Sequence, residues 1–239
     1  METSYYLITQ IGFVLITLIF YGLTLRELKK GLAATAFSEA RKTKVFTITI
    51  IVLMTWMVVI STLSIRGFFL DFGGFPPKIG MVLIAPLVLI PVFTLSQTAK
   101  EIVTHIPPQN LIRLQGFRVW VEVLLWILLI QELLPKQMSF EGLNFDVLTG
   151  LSAPVVAYLV GKNRIGKKAT IFWNILGLVL LFNIVAIALL SMPTPFRIFM
   201  NEPANTIVAR FPIVWLPGFL VPLAYGLHLL SLRQLTSNK

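Results

Sequence analysis

Seven long apolar runs, separated by polar loops, constrain the fold of this chain more than any other feature. The runs lie at about residues 5–25, 45–65, 80–98, 110–134, 147–161, 169–191 and 212–232. A helix of about 20 apolar residues crosses roughly 30 Å of hydrocarbon, and it satisfies its own backbone hydrogen bonds where lipid offers none. The pattern therefore predicts an all-α, polytopic bundle of seven transmembrane helices. If the short fifth run, which contains Pro154, does not span, six helices remain and the C-terminus changes side.

The composition favours a single integral membrane domain over residues 1–239. The chain is 56% hydrophobic and 13% charged, whereas soluble domains are roughly 45–50% apolar and about 25% charged. So few charged residues cannot cover the surface of a water-soluble globule. The sequence contains no cysteine, which excludes disulfides, thiolate metal sites and cysteine nucleophiles.

The division of cationic residues between alternate loops predicts the orientation of the helices. One set of loops carries 14 of them: Arg26, Lys29, Lys30, Arg41, Lys42, Lys44, Lys100, Arg113, Lys162, Arg164, Lys167, Lys168, Arg233 and Lys239. The opposite set carries five: Arg66, Lys78, Lys136, Arg197 and Arg210. Because cationic loops stay in the cytoplasm, the N-terminus is expected outside and the C-terminus inside. The net charge of +10 then comes from these loops, which are expected to contact anionic lipid headgroups. The expected partners therefore include membrane lipids and exclude nucleic acid.

Two pairs of prolines suggest an internal repeat. Pro86 and Pro91 lie in the third run, and Pro217 and Pro222 lie in the seventh, and the members of each pair are five positions apart. Helices 1–3 and 5–7 would then be parallel repeats joined by helix 4, a three-plus-one-plus-three arrangement. Proline kinks often mark the midplane site of a transporter. Proline is also common in transmembrane helices generally, so chance is the alternative explanation.

The fourth run carries the densest set of polar residues. Gln115, Arg118 and Glu122 fall at positions i, i+3 and i+7, on one face of a continuous helix. Arg118 and Glu122 are four residues apart and could pair within that helix. A charge at mid-span costs about 2.5–3.5 kcal/mol or more. One interpretation is a self-neutralised structural pair, and the other is a substrate-coupled or proton-coupled pair in a water-filled cavity.

Other polar residues are weaker candidates for a binding site. Asn174 and Asn183 lie on opposite faces of the sixth run, where hydrogen bonding between helices is the expected role. Asp146 stands at the start of the fifth run, where capping of that helix is the default expectation. His228 is expected near the cytoplasmic end of its span, at a depth similar to that of His105. A haem held by these two histidines is therefore an option, but otherwise we predict no cofactor and no metal.

Two stretches carry a resemblance to a known family. The stretch Arg118 to Leu151, around the sequences FRVWVEVLLW and MSFEGLNFDVLTGL, resembles a family of uncharacterised seven-helix bacterial inner-membrane proteins. The stretch Phe199 to Leu232, with the sequence FMNEPANTIVARFPIVWLPGFLVPLAYGLHLLSL, resembles that family more closely still. The resemblance implies a bacterial cytoplasmic membrane but no activity. In architecture alone, the arrangement is also similar to that of seven-helix sugar transporters.

Three functions are compatible with these features, and the first is preferred. The first is binding or transport of a small solute or ion through a polar site in the bundle. The second is a lipid-modifying enzyme that uses Glu141, Asp146, Glu202 or His228 near a membrane surface. No HExxH, GxSxG, Walker or GxGxxG motif is present, so an enzyme is the less favoured option. The third is a non-catalytic subunit whose aromatic loops dock a membrane partner or a second copy of the chain.

Overall fold

The computed structural model describes residues 4–74 and 76–237, and within them every regular element is helical. The α-helices are α1 (Ser4–Ala34), α2 (Glu39–Ile65), α3 (Gly80–Leu95), α4 (Gln97–Thr104), α5 (Pro108–Leu114), α6 (Phe117–Ile130), α7 (Val147–Gly161), α8 (Lys167–Leu190) and α9 (Val221–Thr236). Shorter turns are 3₁₀ helices at Phe68–Leu70, Lys136–Met138 and Ile207–Ala209, and a π-helical turn at Leu216–Leu220. Lys239, one of the cationic residues that set the predicted orientation, lies outside the described residues.

Four helices of the described chain are long and apolar enough to cross a membrane. They are Tyr6–Ala34, Glu39–Ile65, Lys167–Leu190 and Leu216–Thr236, and the bent pair α3–α4 makes a fifth if it counts as one span. Helix α7 is apolar but shorter. An all-helical fold with membrane-length helices is therefore confirmed. The number seven, the repeat and the orientation stay predictions.

The third apolar run ends at a serine and not at its prolines. Helix α3 continues through both Pro86 and Pro91, and the chain then turns by 74° into α4. Ser96 makes this turn: its backbone is extended, and its side chain accepts a hydrogen bond from the backbone N–H of Ala99 at 3.0 Å. A serine N-cap satisfies one of the free donors at a helix start, so Ser96 ends one helix and begins the next.

The second proline pair lies at a different kind of irregularity. Pro217 falls inside the π-helical turn, and Pro222 lies in the first turn of α9. A proline has no N–H to donate to the preceding turn, and π-helical turns often accompany such interruptions. The two proline pairs therefore sit in different local structures.

The fourth apolar run is divided into two helices. Helix α5 ends with Gln115 as its C-cap, and α6 begins at Phe117. The prediction that Gln115, Arg118 and Glu122 share one face of a continuous helix was therefore wrong for Gln115. All three side chains are nevertheless buried, because α5 packs on α7 and α9 and α6 packs on α1 and α7.

Helix α9 lies at the centre of the bundle. It packs against α3, α4, α5 and α8, while α5 packs on α7 and α1 packs on α6. In its most apolar stretch 56% of the residues are buried, against 22% in α1 and 17% in α2. The first two helices therefore form part of the periphery, and α9 forms the core.

Candidate functional site

A buried ion pair joins α6 to the start of α7. Nη1 of Arg118 lies 3.0 Å from Oδ1 of Asp146, and both side chains are almost fully buried. Spacing along the helix allowed Arg118 to pair with Glu122, but the ion pair of the structure is with Asp146. Asp146 was expected to cap α7, yet its side chain makes no cap hydrogen bond. Its carboxylate faces Arg118 instead.

Asn144, which sequence reasoning missed, explains both differences. Its Oδ1 accepts the backbone N–H of Asp146 at 3.0 Å, and its Nδ2 donates to Oε1 of Glu122 at 2.7 Å and to the carbonyl of Met138 at 3.1 Å. Asn144 therefore makes the turn before α7 and occupies one oxygen of Glu122. The asparagine lies in an outer loop of the predicted topology, where no periodicity marks a residue as buried.

A glycine allows α6 and α7 to approach each other at this level. A Cβ added to Gly150 would lie 2.7 Å from the backbone nitrogen of Val119 and 3.1 Å from Cβ of Arg118. Real Cβ atoms essentially never come this close to a backbone nitrogen. The absence of a side chain at position 150 therefore places Asp146, one turn earlier, beside the guanidinium.

The central helix α9 adds two further polar residues. Nε2 of Gln115 donates to the carbonyl of Ala224 at 3.0 Å. One turn later, Nδ1 of the fully buried His228 lies 2.9 Å from Oδ1 of Asn174. The Asn174 amide donates to the carbonyl of Thr170 at 2.9 Å and to Ser231 at 3.0 Å. The carbonyl of Thr170 can only accept, so the Nδ2 group of Asn174 must point to it and Oδ1 must face the His228 ring. Nδ1 of His228 therefore carries the proton, and Nε2 of the neutral ring is an acceptor.

The polar side chains near Arg118 lie in one region of the bundle. A Cβ at Gly177 of α8 would lie 2.5 Å from Nε2 of His228 and 3.2 Å from Cγ2 of Thr149, so both residues approach that glycine. Thr149 lies one turn after Asp146 on α7. We call this group the polar cluster: Gln115, Arg118, Glu122, Asn144, Asp146, Thr149, Asn174 and His228.

Several atoms of the polar cluster are buried without a hydrogen-bond partner among the described residues. They are Oε1 of Gln115, Nε, Nη1 and Nη2 of Arg118, Oε2 of Glu122, Oδ1 of Asp146, Oγ1 of Thr149 and Nε2 of His228. Nη1 of Arg118 and Oδ1 of Asp146 face each other as the ion pair, without hydrogen-bond geometry. Buried polar atoms are nearly always paired in native proteins, and leaving one unpaired costs about 1–3 kcal/mol. The polar cluster therefore has unused capacity to bind a polar group or water.

A cavity of about 80 Å³ adjoins the acidic side of the polar cluster. Its walls come from α3, α6, α8 and the π-helical turn, and they include Gly80, Leu83, Val121, Leu181, Ala188 and Leu216. Glu122 and Asp146 also line it, and the other lining residues are apolar. The arrangement can bind a small molecule whose polar end meets the two carboxylates.

The other predicted residues lie away from the polar cluster. Asn183 is half-buried and donates to the carbonyl of Leu143 at 2.8 Å, so its hydrogen bond reaches a loop and not another helix. Oε1 of Glu141 accepts from Nε1 of Trp126 at 2.6 Å, and Oε1 of Glu202 lies 3.0 Å from Nη1 of Arg197. Both glutamates are engaged in local contacts at the surface.

A haem or a metal ion would need histidine or carboxylate side chains that lie close together. His105 ends α4 at the surface, where its Nδ1 lies 2.8 Å from the carbonyl of Glu101, whereas His228 is enclosed in the bundle. A haem held by these two residues stays a prediction. Over residues 4–74 and 76–237, no group of three or more histidine, aspartate or glutamate side chains is placed to hold a metal ion.

A family model matches the chain over most of the bundle. The model of a domain of unknown function, DUF8737, matches residues 76–236. The chain belongs to this family. The resemblance to an uncharacterised family is thereby confirmed, whereas the bacterial origin and the seven-helix topology stay predictions. Every residue of the polar cluster lies inside the matched segment, and α1 and α2 lie outside it. The curated proteins and the solved structures contain no match to the chain.

Proposed function

We propose that this chain is a multi-pass membrane protein that binds a small solute or ion in the polar cluster and carries it across the membrane. The observation that carries the proposal is the position of Glu122 and Asp146, which are buried together in the bundle and line the cavity. Charges in a membrane interior are expensive and commonly belong to substrate or ion pathways.

The unpartnered atoms favour a functional role over a purely structural one. A structural ion pair would be expected to satisfy its own donors and acceptors, as buried networks that only stabilise a fold do. Here Arg118 holds Asp146, and Asn144 holds one oxygen of Glu122, but the second oxygen of Glu122 has no donor within the described chain. That oxygen is available to a transported group.

The proposed topology has seven passes, with the basic loops in the cytoplasm of a bacterial inner membrane. Besides the four long helices, the bent pair α3–α4, the divided pair α5–α6 and the short α7 would each make a pass. Broken helices that line a cavity are tolerated in membranes when their free backbone groups are satisfied by the protein. This topology places the N-terminus outside.

Single cysteines test this orientation cleanly, since the natural chain has none. Cysteines inserted after Lys30 and after Lys168 should be protected from a membrane-impermeant maleimide in intact cells and labelled after lysis. A cysteine inserted after Gly142 should be labelled in both conditions. Labelling of the first two positions in intact cells would reverse the topology.

Flux measurements in proteoliposomes test transport itself. Pooled cations, anions, sugars, amines and amino acids are offered to the purified protein, with an internal pH dye to record coupled proton movement. We expect at least one flux that is lost in both Glu122→Gln and Arg118→Ala and retained in the surface control Glu141→Gln. If both variants fold and every flux of the wild type is unchanged in them, the proposal fails.

A further inference from the structure

The cavity beside the polar cluster is apolar except for two acidic lining residues. Within the described chain, Glu122 and Asp146 are its charged lining residues, and no lysine, arginine or histidine lines it. A ligand that fills this space therefore meets mostly apolar side chains, together with these two carboxyl groups. The chemistry of the carboxyl groups decides which class of ligand fits.

The carboxyl groups of this site outnumber its cations. Glu122 and Asp146 lie in the same polar cluster as one guanidinium, that of Arg118, whose Nη1 lies 3.0 Å from Asp146. Asn144 supplies a neutral donor to one oxygen of Glu122 at 2.7 Å, and the other oxygen has no donor. A buried charge needs a counter-charge and hydrogen bonds to offset its desolvation. The second oxygen of Glu122 is therefore an unpaired acceptor, and a cationic donor would offset its burial.

An anionic headgroup does not fit the same site. Arg118 has unpaired donors, but it is not among the residues that line the cavity, whereas Glu122 and Asp146 are. An anion that entered from the cavity would meet like charges before it reached the guanidinium. Such a juxtaposition is strongly unfavourable at low dielectric.

The cavity opens towards the lipid-facing surface of the bundle. It lies between α3 and α8, which both pack on α9 without forming a substantial contact with each other. Leu189 of α8 lines the cavity and is also 38% exposed. A volume of about 80 Å³ holds roughly five to eight water-sized positions of 10–15 Å³ each. The enclosed part of a ligand is thus a small group, and a longer tail can extend into lipid.

We propose that this cavity binds protonated alkylamines, with the ammonium group donating to Glu122 and Asp146 and the alkyl chain lying between α3 and α8. The assignment rests on the proposed function, because it names the class of solute that the polar cluster takes. An ammonium group supplies both the missing positive charge and three hydrogen-bond donors. A hexyl chain is long enough to contact the apolar walls beyond the enclosed tip.

Three probes of one length separate charge from hydrophobicity. Ligand-observed NMR on the protein in nanodiscs, with empty nanodiscs as the partition control, is recorded with n-hexylamine, 1-hexanol and hexanoate. The expected result is saturable binding of hexylamine, at least about tenfold weaker binding of hexanol, and no binding of hexanoate, because charge-assisted hydrogen bonds are the stronger ones. Equal binding of hexylamine and hexanol, or preferential binding of hexanoate, would overturn the assignment.

Two variants locate the binding in this cavity. Glu122→Gln removes the unpaired charge and should weaken hexylamine binding by roughly tenfold or more. Ala188→Leu fills the cavity without touching either carboxylate and should reduce binding of hexylamine even if Glu122→Gln does not fold. Glu141→Gln, at the surface, should bind as the wild type does. Undiminished binding of hexylamine by a folded Ala188→Leu protein would place the amine elsewhere and refute the assignment.

The flux experiment keeps this assignment separate from the proposed function. If hexylamine does not bind but the flux of another solute depends on Glu122 and Arg118, the ligand class is wrong and transport stands. If hexylamine binds in the cavity and no flux depends on these residues, transport is wrong and the binding site stands.

Discussion

Helices α1 and α2 and the family segment, residues 76–236, are built in different ways. Few of the apolar side chains of α1 and α2 are buried, and no charged side chain of these helices is among the buried residues of the described chain. The family segment encloses three, Arg118, Glu122 and Asp146. Peripheral helices therefore need little more than an apolar surface that suits lipid, whereas the core keeps charges that are costly unless they are paired. The difference indicates that the site of this protein lies in the family segment.

The largest effect is expected when the central cation is removed. Arg118→Ala leaves two carboxylates buried without a counter-charge, and breaking a buried pair typically costs about 3–5 kcal/mol. The exposed Arg66, at the end of α2, forms no ion pair in the described structure, so Arg66→Ala should change the free energy of unfolding by less than about 0.5 kcal/mol. Denaturation in bicelles measures both. Equal losses would remove the contrast between the two regions.

A pair of glycines tests packing in the same two regions. Gly177→Ala would place a methyl group 2.5 Å from Nε2 of His228, whereas nothing lies within 4 Å of a Cβ at Gly22 of α1. Overpacking typically costs about 1–3 kcal/mol, and an exposed glycine in a helix gains up to about 1 kcal/mol as alanine. Thermal unfolding should therefore show Gly177→Ala destabilised and Gly22→Ala unchanged or stabilised. A Gly177→Ala protein as stable as the wild type would mean that His228 is loosely held.

The peripheral helices could be predicted from the sequence because their requirement is simple. Hydropathy alone located the long helices α1, α2 and α8, since each keeps an uninterrupted apolar run. The divisions at Ser96 and at Gln115–Gly116 were missed because hydropathy continues across them. What decides these breaks is local: the hydroxyl of Ser96 caps α4, and Gln115 bonds to a carbonyl of α9.

The residues of the polar cluster were largely found, but their partners were not. Charges in an apolar run stand out in any sequence, which is why Arg118 and Glu122 were candidates. Their pairing depends on which loop folds over α6, and spacing along one helix carries no information about that. Asn144 and Thr149 are ordinary residues in a sequence, and they become part of the site because Gly150 lets α7 approach α6.

A smaller effect is expected from the amide between α8 and α9. Asn174→Ala removes the partners of His228 and Ser231. Hydrogen bonds between membrane helices average about 0.6 kcal/mol, with a maximum near 1.7 kcal/mol, so a loss of roughly 1–2 kcal/mol in the free energy of unfolding is expected. Asn183→Ala removes one bond at a half-buried position and should cost less. A larger loss of stability in Asn183→Ala than in Asn174→Ala would show that α9 does not depend on the contact with Asn174.

The smallest effect is expected at the surface glutamate Glu202. The backbone N–H of Ala204 and the guanidinium of Arg197 lower the pKa of this carboxyl below its ordinary 4.5. A depressed pKa contributes stability above the ordinary value, and that contribution is lost as the pH falls through the depressed value. Thermal unfolding of Glu202→Gln should therefore show a slight deficit at neutral pH that disappears in strong acid. A deficit that grew in acid would contradict this sign.

The ion pair between Arg118 and Asp146 determines how α6 and α7 meet, and a double-mutant cycle measures it directly. Arg118→Met, Asp146→Leu and the double variant are unfolded in bicelles under one set of conditions. The double variant should lose less stability than the two single losses together, by roughly 1–3 kcal/mol, as expected for residues in contact. Losses that add within about 0.5 kcal/mol would show that the two residues do not pair, and would contradict the arrangement of α6 and α7 described here.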